Sequence, residues 1–124
     1  MRQTGGSEVV NGIVHTSGGH PEEGSKHADF NARFKAATGT EADTNYVVNG
    51  CDIALMIDAA VTAAGSTDPR AVRDALANLE DSPGIMSNFT FAGTDRMPLR
   101  AVVLAKIENG QKVFITDANC ADYA

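Results

Sequence analysis

The chain has no tryptophan, and its 124 residues include only five phenylalanines and two tyrosines. With so few large side chains, a core built from these residues alone is thin, because a chain of this length buries roughly two-thirds of the surface it exposes when unfolded. Basic residues are also scarce: 10 Lys and Arg stand against 16 Asp and Glu, for a net charge of −6 and a pI near 4.8. No basic cluster is present. Nucleic acid, bound first through its phosphates, is therefore excluded as a partner, and an anionic membrane surface is disfavoured. The most apolar window, Ile53 to Ala64, is interrupted by Asp58 and bounded by Asp52, short of the ~20 apolar residues of a membrane span. Behind Met1 and Arg2 there is no stretch of ~7–15 apolar residues, so no secretory leader is expected in the chain as written.

Cys51 and Cys120 are the only cysteines. They form no Cys-x-x-Cys pair, which excludes a structural zinc site of that type. Cys51 reads as a small buried hydrophobe within a helix and Cys120 as a residue near a frayed end; a bridge between them stays open, since nothing in the sequence fixes their geometry. Neither Gly5-Gly6 nor Gly18-Gly19 has the spacing of a phosphate-cradling loop, and no cofactor is implied. His15, His20, Glu22, Glu23 and His27 lie close in sequence, but their spacing matches no compact metal-ligand pattern and they read as an exposed loop.

What is present is globular: 43% hydrophobic and 21% charged residues, in one domain or a piece of one. Val9 to Thr16 reads as a short strand with Gly12 at a bulge, followed by a loop over Thr16 to Pro21. Ser25 caps a helix whose Phe30, Phe34 and Ala37 form a stripe, and Gly39 stops it. Tyr46 to Ala64 is a helix apolar on most sides, which calls for partners on most sides. Asp68-Pro69 opens another helix with a Val72, Ala75, Leu76, Leu79 stripe, closed by Ser82-Pro83-Gly84. Asn88 to Phe91 reads as a brief strand. Leu99 to Ile107, a type I′ turn at Asn109-Gly110, and Lys112 to Thr116 make a hairpin. The order is α/β or α+β, and the sheet is small for so much apolar helix.

Phe30-x-x-x-Phe34, the Gly39 turn, Cys51-Asp52-Ile53-Ala54, the run Ala63-Ala64-Gly65-Ser66-Thr67-Asp68-Pro69 through Leu76, and Phe89-Thr90-Phe91 with the Asn109-Gly110 hairpin together resemble the C-terminal part of type I periplasmic solute-binding proteins of the branched-chain amino acid ABC transporter family. The resemblance runs from about Glu8 to Ile115. Two positions depart from the family pattern, Cys51 in place of a tyrosine and Ala92 in place of an acidic residue. The resemblance implies a fragment of that fold: strand, three helices, short strand and terminal hairpin, not a complete two-lobed unit. It implies that residues 1–124 form a single partial domain. Residues of about 1–20 would belong to the second lobe, about 21–100 would pack on the first lobe, and about 99–118 would form the hairpin.

The implied function is capture of a small amino acid, branched-chain or similar, by closure of two lobes that then engage an ABC permease. The implied partners are that ligand, the remainder of the binding protein and the permease, with self-association through Tyr46–Ala64 when the remainder is missing. Glu8 would pair with the ligand ammonium, Ser7 would neighbour it, and His15 would approach the cleft edge. Asp52 matches the family's structural helix aspartate, on a different helix face from Asp58, which is expected to bond locally or to Thr62. The parent family is periplasmic; the chain without a leader would stay in the cytoplasm. Two alternatives remain at this level: a ligand-sensing domain on the same scaffold, or a small free-standing α/β enzyme. No Ser/His/Asp arrangement supports the latter, and catalysis is not expected.

Overall fold

A computed structural model describes residues 9–42 and 44–119. The elements run β1 (Val14–Ser17), α1 (Lys26–Thr38), α2 (Asn45–Ala64), α3 (Pro69–Ala77), β2 (Ala101–Glu108) and β3 (Gln111–Asn119). The strands form one antiparallel sheet in the order β1-β2-β3. Asn109 and Gly110 both take positive φ, 49° and 74°, as a two-residue type I′ turn requires, and Glu108 pairs with Gln111 across it.

Local chemistry sets the helix ends. Ser25 Oγ accepts from Ala28 N at 3.1 Å, and Gly39, at φ 72°, closes α1 by donating its amide to Lys35 O. Asp68 Oδ1 accepts from Arg70 N at 3.0 Å and Ala71 N at 3.1 Å, with Pro69 in the first turn of α3. That helix ends at Ala77, before the Ser82-Pro83-Gly84 stop read from the sequence. Asn78 caps it, and the Leu79 carbonyl accepts instead from Phe91 N and Ala92 N at 2.8 and 3.1 Å.

Two strand assignments are corrected. Val9 and Val10 are helical, and β1 starts only at Val14. Gly12, at φ 85°, turns the chain, and its amide donates to Ile107 O at 2.7 Å. Asn88 to Phe91 is not a strand but carries two isolated bridges, Ser82 with Phe89 and Thr90 with Leu99.

The buried apolar residues are Val10, Val48, Ala60, Phe89, Val103 and Ala105. On α2 the buried positions Val48, Asp52 and Ala60 share one face, being spaced by multiples of four. The Asp52 carboxylate is 1% exposed, and its Oδ1 accepts from Ile85 N at 2.6 Å, so it has the structural role expected of it. Asp58 is exposed. The opposite side of α2 is uncovered: Tyr46 is 84% exposed, Ile53 52% and Ile57 53%. Cys51 lies on this outer side and is exposed, not the buried hydrophobe expected, because α2 is packed along one stripe only. Cys120 lies outside the described residues. The 20 residues of α2 contain an 18-residue window with a mean hydropathy of 1.5, long and apolar enough to cross a bilayer by length and composition, which the shorter window read from the sequence did not indicate.

Candidate functional site

The end of β1, the loop after it, α1, the first turn of α2 and β3 converge on a polar cluster. Alternation along β1 puts His15 and Ser17 on one face. Their partners Ala105 and Val103 are core residues, so that face looks toward the helices. Pairing of β3 with β2 places Lys112 opposite Ile107 and Phe114 opposite Ala105, on the same face. Ser17 Oγ accepts from Lys112 Nζ at 2.8 Å and from Asn45 Nδ2 at 2.7 Å, and donates to Gly19 O at 3.1 Å. The hydroxyl proton therefore goes to a carbonyl and not to the lysine, which makes this pair a clasp between strands and helix and not a nucleophile with its base. The His20 ring stacks on Phe114 with centroids 5.4 Å apart.

Burial controls the titration of this cluster. Lys112 is pulled below the ordinary lysine pKa by desolvation. His27, 4% exposed, is lowered first by desolvation and then by the nearby positive charge of Lys112, with Asp52 pulling the other way. Among the described residues, no three His, Cys, Asp or Glu side chains converge as metal ligands. The cluster is rich in donors: what it can do chemically is hold acceptors.

Of the site residues read from the sequence, Ser7 and Glu8 lie outside the described residues. His15 is on the helix-facing side of β1, with Nδ1 3.0 Å from the Thr16 carbonyl, and it is not brought against Lys112 or Asn45. Sequence reasoning passed over Ser17, Asn45 and Lys112. Their contacts join positions 28 and 95 residues apart, and no local pattern announces them.

The periplasmic binding protein family profile matches residues 2–112. The chain belongs to this family. Solved structures carry the same fold. A leucine-binding protein of Thermotoga maritima superposes with a TM-score of 0.76 at 24% identity, covering 98% of this chain and 34% of that one. A solute-binding protein of an R. palustris ABC transporter, in complex with benzoate, gives 0.65 at 22% identity, covering 90% and 31%. A type 1 periplasmic binding protein of Bordetella pertussis gives 0.67 at 24% identity, covering 92% and 35%. No curated protein matches the chain. The periplasmic binding protein fold is thus represented by about a third of the length of these structures, and the elements named above agree with the partial α/β fold expected from the sequence. Members of the family are solute-binding proteins and not enzymes.

Proposed function

We propose that this chain is the C-terminal part of the substrate-binding component of an ABC importer, and that it captures a small organic carboxylate with an apolar body, a branched-chain amino acid above all, by closure of two lobes. The family match over residues 2–112 carries this reading. The ligand class is supported by the structural neighbours, one a leucine-binding protein and another in complex with benzoate, which share a carboxylate on an apolar frame. Incompleteness of the cleft is supported by surface: on α2 the large apolar side chains Tyr46, Ile53, Leu55 and Ile57 are exposed. The uncovered side of α2 is the natural seat of the missing partner, a first lobe whose sheet lies on Ile53 and Ile57. Under this reading residues of about 1–20 serve the second lobe and Glu8 meets the ligand ammonium, with Ser7 and His15 at the cleft edge. The working place is the periplasm, and the partner after capture is a permease.

Calorimetry tests it. The 124-residue chain alone is expected to give no heat with leucine or benzoate. A polypeptide joining this chain to a first lobe is expected to bind a member of that class, and Glu8→Gln in it to weaken an amino-acid ligand at least tenfold, by loss of a charge-assisted contact worth ~1.5–3 kcal/mol. Micromolar leucine binding by the isolated chain, or no binding of any such carboxylate by the joined polypeptide, overturns the reading.

A further inference from the structure

We propose that the cavity between the β1–α1 loop, α1, the first turn of α2 and Lys112 binds a small oxyanion. The cavity measures ≈ 260 Å³, and its walls include His20, His27, Asn31, Thr44, Asn45 and Lys112, with no acidic side chain among the described lining residues. The Lys112 ammonium donates to Ser17 Oγ and, at 3.4 Å, to Gly19 O. Both acceptors are neutral, Lys112 is an exposed residue, and among the described residues its ammonium has no anionic partner and one N–H to spare. His27 is more than nine-tenths buried, yet its Nδ1 has no hydrogen-bond partner, and neither has His20 Nδ1 or Asn31 Oδ1. Which amide atom of Asn31 faces the cavity is a matter of assignment, so it can present donors as well.

An independent feature points the same way. Thr44, the N-cap of α2, makes no side-chain capping bond, and the first turn of α2 carries no acid. The positive end of a 20-residue helix therefore opens beside the lysine and histidines with no acid in its own first turn to oppose it. Donors from a strand, a loop and two helices surround one small space. A metal ion is disfavoured there by Lys112. An oxyanion accepts from Lys112, from the histidine N–H groups and from the Asn45 and Asn31 amides, and sets a negative charge against the ammonium.

Sulfate and acetate separate the two sources of this chemistry, a tetrahedral oxyanion and a carboxylate. Each is titrated into the 124-residue chain at constant ionic strength against chloride, following the His27 and His20 rings and the Lys112 ammonium by NMR. A saturable shift confined to these groups with either probe supports the site, and the probe that saturates names the class. Lys112→Gln is expected to weaken binding about tenfold or more. Lys106→Gln, whose side chain pairs with Glu108, is expected to leave binding unchanged. The wild-type chain gives a reading that needs no variant: bound sulfate should raise the His27 pKa against the lowering by burial, Lys112 and His20 and the opposing pull of Asp52. Binding should accordingly tighten as the pH falls toward and below the ordinary histidine value of 6.5. Shifts that stay linear with both probes, or equal losses for the two lysine variants, would reduce the cluster to non-specific screening and overturn the proposal.

Discussion

The two sides of α2 differ in what they are built to touch. The inner side, Val48, Asp52 and Ala60, is sealed and tied by a hydrogen bond to Ile85. The outer side, with Tyr46, Ile53, Leu55 and Ile57, is as apolar but lies open. A helix whose composition is uniform and whose burial is not uniform carries a surface meant for something else. The lesson is that hydropathy reports the burial a helix was selected for, while packing within 124 residues reports only the share these residues supply.

The sharpest way to break this comparison is at the inner core. Phe89 is 1% exposed, and Phe89→Ala should cost about 3–5 kcal/mol in urea unfolding; a smaller loss would mean that this end of the fold is as loosely held as the outer side of α2. Next, Asp52→Ala leaves the Ile85 amide without its acceptor and should cost about 1–3 kcal/mol in the same measurement. The smallest effect is expected on the outer side. Ile57→Ala should change the stability of this chain by no more than about 0.5 kcal/mol, but should cost about 2–5 kcal/mol once a first lobe covers it. Equal values in the two settings would remove the case for a covering partner.

Much of the fold was legible in local signals. Asp68-Pro69, Gly39 and Asn109-Gly110 each act over a few residues, and each marks the turn or helix end where the structure has it. The run from Val9 was misread because a short apolar segment with a glycine has no decisive period, and Gly12 at positive φ breaks it into a helical end and a strand. The end of α3 was misplaced because the Leu79 carbonyl is claimed by Phe91 and Ala92, a tertiary event. The cluster around Ser17 was not legible for the same reason: its hydroxyl meets Lys112 only after three helices have been laid between them. His27 was visible as a histidine, but not as a buried one, since the apparent stripe of α1 was Phe30 and Phe34.

The three-stranded sheet has one further consequence. Among the described residues β1 and β3 each pair on one edge only, which leaves β3, nine residues long, with a row of free main-chain donors and acceptors along its other margin. Such a margin templates the addition of any extended peptide. A chain with this border exposed is expected to zip onto neighbours unless another strand docks first, so keeping it in solution depends on how quickly that strand arrives.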